Sequence, residues 1–203
     1  RATGRSFVVF SAHFDHEGVV ARRESARLLL RQVATLAAGL PVVCLGDLNA
    51  TPESEPVKLM TSVLADARPC VLDADALNLI AAEPALIEAL ARRPGPAVLT
   101  PHPLEAARLL GSSTAAVQSD RIAGACRLAA RTGAIVALKG AGTVLAAPDG
   151  RWAINTTGSA ALATGGTGDV LAGLVASLMA QGYDPWLAAC LGVWLHGRAG
   201  DQW

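Results

Sequence analysis

Along this chain, short unbroken apolar runs alternate with longer stretches in which apolar residues recur at helical spacing. SFVVFSA, residues 6–12, is rich in β-branched and aromatic side chains without a breaker and predicts a buried strand. RRESARLLLRQVATLAAG, from Arg22, keeps apolar residues three or four apart and stops at Gly39, which predicts a helix with a glycine C-cap. LPVVCLGDLN reads as a second buried strand ending on the polar residues Asp47 and Asn49. A strand, a helix and a strand in this order form a crossover unit, which favours right-handed parallel pairing.

The pattern repeats downstream. TPESEP, residues 51–56, is a turn-rich linker, followed by a short helix over 57–64. PCVLDADALN, residues 69–78, predicts a third strand with its carboxylates at the C-terminal end. A helix over 82–92, the strand 97–102, and helices over 103–110 and 119–132 follow. AIVALKG, 134–140, predicts a fifth strand, and 143–155 a hairpin turning at 148–150. Two Ala-rich helices close the chain, over 169–181 and 185–199. Strands alternating with helices predict an α/β fold with a mainly parallel sheet flanked by helices. In such sheets ligands bind beyond the carboxyl ends of the strands. Asp47, Asp73, His102 and Lys139 all fall there.

Composition narrows the function classes. A chain of 203 residues is long enough to bury a sizeable core as one large domain or two small ones. Formal net charge is zero, so bulk electrostatics point to neither nucleic acid nor an anionic membrane as a partner. No apolar run reaches the roughly 18 residues a membrane helix needs, and no signal-peptide pattern is read at the start. The cysteines, Cys44, Cys70, Cys126 and Cys190, sit singly in apolar surroundings without metal-ligand spacing. That reads as free thiols in a reducing, cytoplasmic setting. Because the chain opens at Arg1 rather than Met, it reads as a fragment or a processed product.

The stretch ATGGTGDVLAG, 163–173, sets four glycines and two threonines around one carboxylate, Asp169, before an apolar helix. Glycines admit positive φ and close approach of a ligand. The helix start offers unpaired N–H groups and a positive dipole end, which suits phosphate. Asp169 therefore stands where a nucleotide phosphate would lie. A carboxylate there needs work to do, such as taking a proton from a hydroxyl that attacks a phosphoryl group. The bland alternative is a helix-capping Asp beside a tight turn.

Four motifs occur in order: DADALN (73–78), LTPHPLEAARLLG (99–111), ALKGAGT (137–143) and TGSAALATGGTGDVLAG (157–173). Through them, residues 69–203 resemble the C-terminal part of the ADP- or ATP-dependent NAD(P)H-hydrate dehydratases, in the ribokinase-like superfamily. The resemblance implies repair of hydrated nicotinamide cofactors, with NADHX and NADPHX as substrates, ADP or ATP as nucleotide and Mg2+ as its counter-ion. It implies that Asp169 is the catalytic base and also contacts the substrate. Gly165, Gly166, Thr167 and Gly168 would hold the phosphates. Lys139, Gly140, Ala141, Gly142 and Thr143 would bind the adenylate, and His102 would touch the hydrated nicotinamide nucleotide. A homo-oligomer is compatible with it. DADALN is also read as a strand terminus and helix start with Asp75 capping that helix, and His196 as packed or capping. Ser159, Ala160 and Ala161 stand where the family pattern has Asn-Pro-Gly, and Leu104 where it has Gly.

The first third reads differently. SAHFDHEGVVARRESARLLL and PVVCLGDLNATPESEPVKLM resemble a fragment of the endonuclease/exonuclease/phosphatase superfamily over residues 6–68. That resemblance implies a supporting role for His13, with Asp15 and His16 also matching. Asp47 and Asn49 would be vestigial contacts to phosphate and metal, with Leu48 in place of Phe. The early metal-binding Glu and the late Asp-His pair have no counterpart, so the ligand set is half complete. A GPGLG-type motif, expected early in a complete dehydratase, is not found. The chain is therefore expected to be a chimera with a strand-helix-strand fragment at 1–68, a dehydratase-like part at 69–203 and a junction near 66–69. Three functions remain open: a dehydratase, a non-catalytic ADP/ATP-binding module, and a recombined scaffold without activity; a metal-dependent phosphodiesterase or phosphatase ranks behind them.

Overall fold

Five strands form one sheet in the order β3-β4-β5-β6-β7. These are β3 (Cys70–Leu72), β4 (Ala97–Leu99), β5 (Ile135–Leu138), β6 (Val144–Ala146) and β7 (Trp152–Ile154). A separate parallel pair, β1 (Val8–Ser11) and β2 (Val42–Leu45), lies with β2 against β3. β3, β4 and β5 pair in parallel, and β6 and β7 complete the sheet antiparallel. In this computed structural model residues 8–11, 42–45 and 55–202 are described, with single helical positions at 24, 28, 31, 32 and 35. The expected helix from Arg22 lies mostly outside the described residues.

Within the described stretch 55–202 the helices are α1 (Glu55–Ala65), α2 (Asp75–Ala82), α3 (Pro84–Ala91), α4 (Pro103–Leu110), α5 (Thr114–Ser119), α6 (Arg121–Thr132), α7 (Thr167–Ala180) and α8 (Pro185–Asp201). They form two layers, and the period-2 alternation of the strands decides which residues face which. Leu99, Val136, Leu138, Val144 and Ala146 join one core with Leu64, Leu77, Ile80, Leu109 and Leu128 of the helices α1 to α6. The intervening Val98, Ala137 and Leu145 face the opposite core, with Leu171, Val175, Ala188 and Val193 of α7 and α8. Strands covered on both faces read as continuous apolar runs, which is why AVL and IVAL show no polar alternation. Each fully buried Leu or Val contributes about 1.5–3 kcal/mol of transfer free energy.

Several expected elements differ. The third strand stops at Leu72, because Ala74 turns sharply at φ 50 and ψ −123 and α2 begins at once. A non-glycine residue in that region is strained. Asp75 is the first helical residue; the cap position is Ala74, which supplies no side-chain bond. Pro84 and the extended Glu83 start α3 as a new helix. The helix expected over 119–132 is α6, starting at Arg121 after the Asp120 cap, and an unexpected short helix, α5, precedes it with Ser113 as cap; each cap accepts an N–H three residues on. α7 begins at Thr167, two residues before the expected start.

α8 reaches the 155–162 segment through glycines. A Cβ on Gly197 would run into the side chain and backbone of Thr157, and one on Gly200 would strike Leu162. The contact is stitched by polar bonds: Thr157 Oγ1 donates to Trp194 O at 3.1 Å, Ser159 Oγ to Gly200 O at 2.6 Å, and Gly158 N–H to Asp201 Oδ1 at 2.9 Å. Overpacking such a seam costs about 1–3 kcal/mol. Gly197→Ala is therefore expected to lower the thermal midpoint by about 2–4 °C per kcal/mol, measured by calorimetry. An unchanged midpoint would mean that α8 does not seat on this segment.

Candidate active site

The carboxyl ends of β3, β4 and β5 deliver Asp73, Thr100 to His102, and Lys139 to one edge of the sheet. Lys139 N–H donates to Pro101 O at 2.8 Å, which ties the ends of β4 and β5 together. Lys139 Nζ donates to Asp73 Oδ1 at 2.8 Å, and the two side chains are only 23% and 10% exposed. Above this pair sits the start of α7. A Cβ on Gly168 would lie 3.4 Å from Lys139 Nζ and 3.5 Å from Asp73 Oδ2. Two of the strand-end residues singled out from sequence, Asp73 and Lys139, are thus brought to the glycine loop; His102 stands at the end of β4, and Asp47 lies with Asn49, His13, Asp15 and His16 outside the described residues.

The loop itself is open. Gly166 takes the N-cap position of α7 at φ 87, a backbone that favours glycine, and provides no side-chain cap. At Gly165 a Cβ would meet nothing within 4 Å, and its φ is not in the left-handed region. Neither packing nor backbone conformation demands glycine there, so the missing side chain leaves room above the loop. Thr167 Oγ1 donates to Leu162 O and Thr164 O at 2.7 and 2.8 Å, anchoring the loop from below. Asp169 is exposed in the first turn, its carboxylate at the positive end of the helix.

The segment 139–143 bends between β5 and β6 with Gly140 at φ 146 and Gly142 at φ 64. Thr143 Oγ1 donates to Gly140 O at 3.1 Å, closing the bend. Lys139, Gly140, Ala141, Gly142 and Thr143 therefore stand as one loop beside the foot of α7.

His102 is the N-cap of α4. Its Nδ1 accepts the N–H groups of Leu104 and Glu105 at 3.1 and 3.3 Å, while Nε2 faces Glu105 Oε1 at 3.2 Å. Glu105 in turn accepts the His102 N–H at 2.8 Å, a reciprocal capping box. Nδ1 is occupied inside the turn, Nε2 stands near the Glu105 carboxylate, and the ring is half exposed. Glu105 was not singled out from sequence. Burial pushes its carboxyl above the ordinary carboxylate range, while the His102 bond and the Lys139 charge pull it down. An acidic residue three positions after a cap candidate was the signal available for it.

His196, expected to be packed or capping, lies on α8 against the loop. Burial lowers its basicity, a hydrogen bond with the Thr167 backbone raises it, and the charge of Lys139 lowers it again. Among the described residues no three His, Cys, Asp or Glu side chains stand together as a metal site.

An α/β sheet with an uncapped glycine-loop helix and a lysine at its foot is an arrangement suited to a phosphate-bearing ligand. The chain belongs to the NAD(P)H-hydrate dehydratase family, whose model matches residues 16–203. It is 52% identical over 134 residues to an ADP-dependent (S)-NAD(P)H-hydrate dehydratase of Neisseria meningitidis, covering 66% of this chain and 45% of that one. It is 38% identical over 173 residues to a bifunctional NAD(P)H-hydrate repair enzyme of Thermofilum pendens, covering 85% and 32%. The matches thus span less than half the length of these relatives. A crystal structure of the ADP/ATP-dependent NAD(P)H-hydrate dehydratase from Bacillus subtilis, co-crystallised with ATP/Mg2+ and soaked with CoA, matches with a TM-score of 0.71 at 26% identity, covering 100% of this chain and 84% of that one.

The expected chimera and its endonuclease/exonuclease/phosphatase fragment find no support. The family model runs through 66–69 from residue 16, and the Thermofilum alignment is longer than 69–203. The packing agrees: β2 lies against β3 and beneath α7.

With His196 neutral in the fold, the unfolded chain takes up a proton more readily, so stability falls as pH drops below about 6.5 toward the lowered folded value. Denaturant titrations at about pH 7.5 and about pH 5.5, across the histidine range, are expected to show a larger loss for the parent than for His196→Gln. Equal losses would remove His196 from the packing beneath the loop.

Proposed function

We propose that this chain dehydrates hydrated NAD(P)H at the expense of a nucleotide, with the chemistry at Asp169. The observation that carries the reading is the open loop of Gly165 to Gly168, set directly over the Asp73–Lys139 pair. Family membership supplies the substrate class, and the relatives' use of ADP or ATP supplies the nucleotide.

In this reading the first-turn N–H groups of α7 and the loop backbone bind the terminal phosphates, and Lys139 offsets their charge. The segment 139–143 holds the adenylate. Asp169 takes the proton from the ring hydroxyl as its oxygen attacks the terminal phosphorus. The bond to the bridging oxygen breaks, leaving AMP from ADP. The ring nitrogen lone pair then expels phosphate from the adjacent carbon, leaving an iminium ion, and loss of a proton from the next ring carbon to water restores the C=C bond of NAD(P)H. Phosphate thus carries away the oxygen of the lost water. His102 contributes its half-exposed ring, with Nδ1 engaged in the α4 cap.

Mg2+ fits as a nucleotide-borne ion: it ordinarily keeps waters and binds one or two carboxylates plus substrate phosphates. Asp73 Oδ2, beside Gly168, is such a carboxylate oxygen. Its chemistry would be neutralisation of charge on the transferring group. We further place the protein in the cytoplasm, in keeping with free thiols at Cys70, Cys126 and Cys190. Neither nucleic acid nor membrane enters this reading, and assembly into a homo-oligomer is compatible with it.

The test is recovery of NADPH absorbance from its hydrate with ADP or ATP and magnesium. Asp169→Asn is expected to lower turnover by about 10²–10⁴-fold, the worth of a positioned base, while still binding nucleotide. Full activity in that variant would overturn the role of Asp169. A parent that binds ADP without recovering NADPH would reduce the chain to a binding module.

A further inference from the structure

We propose that Arg121 is a positioning residue that shapes the nucleotide-binding segment 139–143, turning the N–H groups of Gly140 and Gly142 outward for the nucleotide. This rests on the reading of that segment given above. Arg121 is the first residue of α6, outside the four motifs. Its Nη1 donates to Ala141 O at 2.8 Å, and its Nη2 to Leu138 O and Lys139 O at 3.0 and 3.2 Å. One guanidinium fork thus gathers three carbonyls from a single bend.

Peptide planarity converts that grip into a direction. In a trans peptide the C=O of one residue and the N–H of the next point opposite ways. The Leu138 carbonyl turns to Arg121, and the Lys139 N–H on the far side of the same plane donates to Pro101 O. By the same geometry, carbonyls of Lys139 and Ala141 held by Arg121 aim the N–H groups of Gly140 and Gly142 away from it. Gly140 completes the fit, since a Cβ there would sit 2.8 Å from both Nη atoms.

Helix stability does not explain the placement. A cation in the first turn opposes the helix dipole. Burial also lowers the basicity of this guanidinium, and its Nε is buried without a partner. What offsets these costs is the set of carbonyls, and what the carbonyls gain is a fixed bend.

The experiment compares the full chain with Arg121→Met and Arg121→Lys by calorimetric titration with ADP and magnesium, alongside thermal midpoints and steady-state kinetics. Losing hydrogen bonds to a charged group is expected to weaken ADP binding and raise its KM by about 10–100-fold. The KM for hydrated NADPH and the thermal midpoint should stay near those of the parent, and Arg121→Lys should recover part of the ADP affinity. Arg121→Gln serves should Arg121→Met not fold. Parent-like ADP affinity in either folded neutral variant overturns the proposal, as does an equal rise in both KM values with a lowered midpoint. A parent that does not bind ADP at all overturns the functional reading and, with it, this role.

Discussion

Lys139 and Asp73 meet at 2.8 Å where β5 and β3 end, with little water access to either side chain. An exposed pair of this kind contributes about 0–1 kcal/mol, but removing one partner from a shielded pair strands the other charge at a cost of about 3–5 kcal/mol. The pair therefore fixes the spacing of two strand ends that have no direct strand pairing with each other. Gly168 passes close to it: a Cβ there would come within 3.4 Å of Lys139 Nζ and 3.5 Å of Asp73 Oδ2. The ammonium that pairs with Asp73 is therefore also a cation beside the loop.

The remaining supports converge on the same edge from three sides. From α8, Gly197 and Gly200 let the 157–162 segment close in, and Thr167 Oγ1 anchors the loop to Leu162 and Thr164. From α4, the His102–Glu105 box fixes the turn whose Pro101 carbonyl holds the Lys139 backbone. From α6, Arg121 holds the carbonyls of the 139–143 bend. At Gly165 neither packing nor backbone conformation calls for glycine. In the proposed reading that open space takes the nucleotide phosphate.

Much of this was legible locally. The glycine loop, ALKGAGT and the strand ends showed themselves because glycine runs and strand-to-polar transitions are short-range signals. Arg121 did not, since its partners lie 17 to 20 residues away and an isolated Arg opening a helix reads as a solvated face. DADALN was read too far as strand because no sequence rule anticipates a strained alanine at φ 50. The nuclease-like reading of the first third arose because polar residues after a buried strand, as in GDLN, are common to many α/β folds. Parallel pairing of β1 with β2 was predictable from the crossover rule; that β2 would lie against β3 depends on contacts outside that fragment.

If phosphoryl transfer at this loop drives loss of the ring hydroxyl, as proposed, nucleotide use and cofactor recovery are locked together. Phosphorus NMR on the full chain with ADP, magnesium and hydrated NADPH follows both directly when absorbance is read in parallel. AMP and inorganic phosphate are expected to appear in step with NADPH, one phosphate for each ring restored. NADPH recovered while ADP stays intact, or ADP consumed at the same rate without hydrated cofactor, would contradict it.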